Sequence, residues 1–284
     1  MNHTNADEQQ LSQQIEDLMV ARNPRGMKTV QGALEPGYYR RAARLMRDIK
    51  GTVLIGTGFP VVDTFETDGP VGAIALYDAL ETLGAHPIIV CGAPLSDALK
   101  DKYRIHELVV GPHDKRDDEA SSALQTLQPE LIISIERPGM AADGNYYNMR
   151  GEDISPRAAC FDTFMQQADC PTIAIGDGGN EIGMGNIQQA LEKLDIVPAA
   201  TTCTELVIAD VSNWAGHGLI ALLAWWSGRD LLADIDSVGI LQYLSERGSV
   251  DGVTRENQLT EDGLPASEGM SVIEQLRQLT GFSD

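Results

Sequence analysis

The segment Ile173-Ala-Ile-Gly-Asp-Gly-Gly-Asn-Glu-Ile-Gly-Met-Gly185 sets Asp177, Asn180 and Glu181 among closely spaced glycines. Carboxylates so placed can move protons or hold a hard cation, and the glycines let backbone approach a ligand closely. Acidic side chains recur in the same kind of setting elsewhere. They stand in Glu66-Thr-Asp-Gly-Pro70, in Glu136-Arg-Pro-Gly139 running on to Asp143-Gly-Asn-Tyr-Tyr147, and in Asp210-Val-Ser-Asn-Trp214.

Each motif has a chemical and a structural reading. Asp68 precedes Gly69-Pro70 as a helix cap would, which explains it as well as catalysis does but leaves Glu66 unexplained. Glu136-Arg137 closes a predicted strand, where Arg137 is expected to clamp a substrate carboxylate bidentately; Arg150 and Arg25 are weaker candidates. The histidines form no metal pattern, and His217 is read as structural. Glu66, Asp68, Asp177, Glu181 and Asp210 could together supply hard oxygens to Mg²⁺, Mn²⁺ or Ca²⁺. Gly56-x-Gly58 follows a strand, but Val61 holds the third glycine position of a dinucleotide fingerprint. No Gly-Lys-Ser/Thr loop is present, and no organic cofactor is expected.

The elements that must position these residues alternate regularly. Strands are predicted at 52–55, 87–90, 107–110, 131–135, 172–175 and 206–209. Helices are predicted at about 70–84, 95–102, 117–127, 156–168, 181–194 and 214–227. Gly183 and Gly185 fall inside the 181–194 pattern, where each costs about 1 kcal/mol relative to Ala. Such alternation predicts an α/β fold: an open, mostly parallel sheet with helices on both faces, in three layers. Further helices are expected near 38–49, 230–246 and 268–280, with turns at 250–254 and 260–264 flanking a small C-terminal hairpin. Residues 1–24 read as a helical extension, frayed over 1–10, with Leu11, Ile15, Leu18 and Met19 on one face; residues 25–284 read as one domain. In an open parallel sheet ligands bind beyond the carboxyl ends of the strands, where the glycine-bearing acidic loops emerge.

Lys plus Arg number 21 and Asp plus Glu 42, a formal charge of −21. That excess opposes binding to nucleic acid or an anionic membrane, so an anionic substrate must be held by local cations or backbone donors. Cys91, Cys160, Cys170 and Cys203 show no C-x-x-C spacing, as reduced thiols would. No signal-peptide pattern and no apolar run long enough for a membrane span is visible, so a cytoplasmic location is expected. A homo-oligomer is compatible with the sequence.

Thr57-Gly-Phe-Pro60, Glu66-Thr-Asp-Gly-Pro70, Ile135-Glu-Arg-Pro-Gly139 and Ala141-Ala-Asp-Gly-Asn-Tyr-Tyr-Asn148 occur in order. Ile175–Gly185, Ala209-Asp-Val-Ser-Asn-Trp214 and Val250-Asp-Gly-Val-Thr254 follow them. Together they resemble the D-glutamate cyclase family over roughly residues 25–265. The resemblance implies a lyase that converts D-glutamate, a small anionic amino acid, to 5-oxo-D-proline and water. That reaction needs an amine deprotonated, a carboxyl made electrophilic and an oxyanion stabilised. Asp177 is expected as base, Glu181 as acid, and Glu66 as a substitute for either. The amides of Gly178, Gly179 and Asn180, at a predicted helix start, are expected to hold the oxyanion. Asn213 or Asn145 would orient the amine or carboxyl, and Thr67, Asp68, Gly69, Glu136, Arg137 and Asp143 complete the expected substrate contacts. Two rivals stay open on the residues alone. One is a non-catalytic sensor of small amino or dicarboxylic acids; the other is a racemase using Cys91 and Cys203, which are expected at opposite sheet edges.

Overall fold

Short Val, Ile and Leu runs, buried on both sides as parallel strands require, form the interior of the central sheet, and a half-buried Ile-His-Glu-Leu segment forms one edge. Its strands are β1 (Thr52–Thr57), β2 (His86–Gly92), β3 (Ile105–Leu108), β4 (Leu131–Ile135), β5 (Thr172–Gly176) and β6 (Glu205–Ile208). The computed structural model describes residues 4–112 and 114–283. All six strands are parallel, in the order β3-β2-β1-β4-β5-β6; Ile55 lies opposite Ile89 on one side and Ile133 on the other, and Ile133 opposite Ile173. The chain therefore reverses its direction of sheet growth at β1 and β4. A crevice opens at that point beyond the carboxyl ends of those two strands.

The main helices are α1 (Asn5–Met19), α2 (Tyr38–Met46), α3 (Pro70–Thr82), α4 (Arg116–Leu127), α5 (Ser212–Ser227), α6 (Ser237–Ser245) and α7 (Ala266–Thr280). Helix α5 packs against α2, α3 and the sheet, and α1 and α7 cover it from outside. Every residue from Ser212 to Ala224 is consequently buried. On the opposite face the Phe161 ring fills the space that a Cβ at Gly56 would occupy, beside the short helix Asp162–Gln167. This is the expected three-layer α/β arrangement. The C-terminal hairpin is also present, pairing Thr260–Glu261 with Leu264–Pro265, so 260–264 contains the hairpin's own turn rather than a flank. A second hairpin, Pro60–Val61 with Thr64–Phe65, stands between β1 and α3 and was not predicted.

Two expectations are corrected. No helix spans 181–194; a 3₁₀ turn at Met184–Ile187 and one α turn at Gln188–Leu191 replace it. Gly183 has φ +94°, and the amides of Gly183 and Gly185 both donate to the Thr201 carbonyl. A Cβ at Gly185 would overlap the Ala200 carbonyl, so these glycines serve close packing on 199–201. Residues 5–10 are helical, under a capping box between Thr4 and Asp7, and Leu11, Ile15 and Met19 are buried in the core. Residues 1–3 lie outside the described residues. Among the described residues no helix is long and apolar enough to cross a membrane.

Candidate active site

The N-terminus of α5 organises the crevice. Val211 supplies no side-chain cap, and carboxylates from other loops take its place. Asp68 accepts from the amides of Asn213 (2.7 Å) and Ser212 (2.9 Å), while Asp177 accepts from Ser212 N at 3.2 Å. The Ser212 hydroxyl donates to Glu136 Oε2 at 2.5 Å. Negative charge beside the unsatisfied amides of a helix start is favourable, so α5 gathers carboxylates from the exits of β1, β4 and β5. Asp68, Glu136 and Asp177, all buried, offer oxygens within 4.8 Å of one another. Hard and mutually close, those oxygens suit a divalent cation such as Mg²⁺ or Mn²⁺, whose charge would favour their ionised form.

The cation of the site is Arg25, on the connector after α1. Its Nη2 pairs with both Asp177 and Asp262 and donates to the Asp210 carbonyl at 3.1 Å. Asp262 arrives from the turn of the C-terminal hairpin, held by Asp251. That side chain accepts from the amides of Val253 (2.9 Å), Thr254 (2.8 Å) and Gly263 (2.7 Å) and from the Thr260 hydroxyl (2.7 Å). Gly69 is fixed by need: its φ is +91°, and a Cβ there would lie 2.7 Å from that of Glu136. Glu136 itself has φ +45°, an uncommon conformation for a glutamate, which turns the chain sharply out of β4.

A cavity of about 380 Å³ opens above this cluster, and Glu66, Glu136, Asp177, Asp262, Arg25 and Asn180 reach its lining. Arg150, Arg157 and Arg255 also line it. Asn180 is almost wholly buried; its Nδ2 donates to the Tyr147 carbonyl at 2.9 Å, and its Oδ1 has no partner. Burial pushes Glu66, Asp68, Glu136 and Asp177 well above the ordinary carboxylate range, and neighbouring negative charge adds to this. Asp262 goes the other way: burial opposes its charge, but Arg25 outweighs that and holds it below the usual value. The site thus combines carboxyls inclined to carry protons with one that stays ionised beside its arginine.

The sequence-expected residues divide. Asp177, Glu66, Glu136 and Asn180 face the cavity, and Asp68 lies at the cluster. Glu181 is buried but turned inward, its two oxygens accepting from the amides of Gly178 (2.9 Å) and Gly179 (2.7 Å). Those amides therefore do not form an oxyanion hole, and Glu181 shapes its own loop. Asp68 caps α5, not the helix that follows it in sequence. Arg137 does not clamp a carboxylate in this cavity; it is buried, and its guanidinium donates to the carbonyls of Thr57, Gly58 and Ala159. Asp210 accepts from the Arg22 (2.7 Å) and Asn23 (3.0 Å) amides, anchoring the connector that carries Arg25. Asn213 fastens the start of α3 through Gly69 N and Gly72 N and also reaches Glu261; Thr67 bonds the Thr260 carbonyl. Asp143 and Asn145 form an Asx turn away from the cluster, where Asp143 also holds the Tyr147 hydroxyl. Ser212, Asp262, Arg157 and Arg255 were missed. The serine stood in a singled-out motif and Asp262 in a predicted turn, neither assigned a role in the site. The cysteines of the racemase reading stand apart, Cys91 in β2 and Cys203 before β6, and burial pushes both thiols up to about 12.

Residues 15–277 match the family model described as D-glutamate cyclase-like, C-terminal. The chain belongs to the D-glutamate cyclase-like family. Human mitochondrial D-glutamate cyclase is 33% identical over 199 residues, which is 61% of this chain and 32% of that protein. The chain thus spans about a third of the length of this curated relative. Among solved structures, an exopolyphosphatase-related protein from Bacteroides fragilis aligns with a TM-score of 0.42 at 9% identity, over 87% of this chain and 60% of that one. The aldohexose dehydrogenase of Thermoplasma acidophilum gives a TM-score of 0.28 at 12% identity, over 85% and 91%. Likenesses this distant carry no argument about the cyclase-like site.

Proposed function

We propose that the chain is a lyase that dehydrates D-glutamate to 5-oxo-D-proline and water. The observation that carries this reading is the cavity's division of charge, with buried carboxylates and an unpartnered amide oxygen at its base and three arginines around them. D-Glutamate has the matching pattern of one ammonium and two carboxylates. Its ammonium would sit on Asn180 Oδ1 and Asp177, and Arg150, Arg157 or Arg255 would receive the carboxylates. Holding the chain curled brings nitrogen and distal carbon together, which removes much of the entropic barrier.

The nitrogen then attacks the distal carboxyl carbon; a C–N bond forms and a C–O bond breaks. Two protons must pass from nitrogen to the departing oxygen, which leaves as water. Asp177, which alone of these three carboxyls pairs directly with Arg25, takes the role of base, and Glu136 or Glu66 that of acid. Arg25 supplies positive charge toward the oxyanion in place of the occupied glycine amides. A divalent cation on Asp68, Glu136 and Asp177 would supply Lewis acidity toward the carboxyl oxygen and would leave the acid role to Glu66.

The test is to incubate the protein with D- and L-glutamate separately, with and without chelator, and to resolve 5-oxoproline by chiral chromatography. Product from the D-isomer alone is expected. Absence of product from both isomers, with or without added Mg²⁺ or Mn²⁺, would end the proposal.

A further inference from the structure

A second cavity of about 240 Å³ lies along the same sheet edge, beyond β1, β2 and β3. Phe59, Pro60, Val62 and Arg157 line both cavities, so the two back onto one another across the Pro60–Phe65 hairpin. Their separation is set by the backbone. Glu136 and Arg137 are consecutive, with Cα atoms about 3.8 Å apart, yet Glu136 lines the carboxylate cavity and Arg137 the second one. A ligand extending one residue beyond a bound glutamate would have to cross that shared wall beside Phe59 and Pro60 to reach from one into the other.

The lining says what that extension is. Phe59, Phe65, Leu95 and Val110 give it an apolar wall. Arg137 brings a buried cation whose partners are carbonyl oxygens; among the described residues no carboxylate pairs with it, and its Nε bonds nothing. A buried guanidinium without an anion is costly, and a ligand carboxylate would relieve it. We infer that the site also takes γ-D-glutamyl amino acids. The glutamyl head would occupy the carboxylate cavity, and the second residue would lay its side chain on the apolar wall and its carboxylate against Arg137 and Arg157. The inference rests on the reading of the first cavity as a D-glutamate site.

The chemistry is that of the proposed dehydration with a different leaving group. The α-nitrogen attacks the γ-amide carbon, the new lactam C–N bond forms and the old amide C–N bond breaks. Two protons move from the attacking ammonium to the departing nitrogen. The products are 5-oxo-D-proline and a free amino acid, with no water, oxidant or reductant consumed. An amide carbonyl is also a better electrophile than the free carboxylate it replaces.

The experiment supplies purified protein with D-glutamate, γ-D-glutamyl-L-leucine and γ-D-glutamyl-methylamide, and measures 5-oxo-D-proline with released leucine or methylamine. Equimolar leucine and 5-oxo-D-proline are expected, with a lower KM for the dipeptide than for the methylamide. Val110→Trp, which fills the second cavity from its rim, should lower the dipeptide-to-D-glutamate ratio of kcat/KM by about tenfold or more. Turnover of D-glutamate with the dipeptide untouched would overturn this inference alone. An unchanged ratio in Val110→Trp would overturn the assignment of the second cavity. No turnover of any of the three would overturn the proposed function, and this inference with it.

Discussion

Ser212 meets three carboxylates at once, giving its amide to Asp68 and Asp177 and its hydroxyl to Glu136. The acids of the cluster are not all shifted in the same direction. Arg25 stabilises charge on Asp262, whereas Asp177, facing both Arg25 and Glu136, is pushed upward by burial. A carboxyl poised above its ordinary range is a better acceptor of a proton from an ammonium than an ordinary carboxylate. Asp177→Asn keeps the shape and the acceptor oxygen but removes the base. We expect kcat/KM for D-glutamate to fall by about 10² or more, with the melting temperature shifted by only a few degrees. Steady-state kinetics beside thermal melting checks this; normal turnover would remove Asp177 from the mechanism.

At the scale of elements, the inner strands were legible as short apolar runs between glycines or polar turns, and their exits bring Glu66, Glu136 and Asp177 together; the edge strand Ile105–Leu108, which carries His106 and Glu107, lies two residues before its expected place. The helix expected at 181–194 does not form. Its apolar spacing is real, but Gly183 and Gly185 answer to the Thr201 carbonyl and Ala200, which lie far along the chain. Asp262 was illegible for the same reason: nothing near it in sequence says that its hairpin folds over β1 and β5. Asp251 is what holds that hairpin's turn, through two hydrogen bonds to Thr260 and Gly263, while two more from Val253 and Thr254 fix Asp251 in its own loop. Asp251→Ala should therefore reproduce the kinetic defect of Asp262→Ala while every residue lining the cavity remains. Kinetics of both variants, with the double variant no worse than either alone, would show that they act through one element. Additive losses would separate them.

For the molecule as a whole, the buried acids set how folding responds to pH. Glu261, enclosed by Asn213 and Trp214, is raised by burial from 4.5 to about 7. Between those values the unfolded chain has released its proton and the folded chain retains it, so stability falls as pH rises. This contribution is full below about pH 4.5 and is lost as pH passes 7. Glu66, Asp68, Glu136 and Asp177 shift in the same direction. Glu261→Gln should flatten the decline in melting temperature between about pH 5 and 7, a range over which the wild-type chain loses stability. An unchanged slope would show that Glu261 is ionised in the fold.

Arg25 and Asp262 are 237 residues apart, and they pair directly. The two strands between which the crevice opens are made in the first half of the chain, yet the cluster lacks its ionised acid until the hairpin arrives. During synthesis the sheet can assemble around a pocket that holds protonatable carboxyls and an arginine with only one of its two partners. The cluster is thus completed only once residue 262 has been made, and a chain cut short before it would lack both that acid and α7.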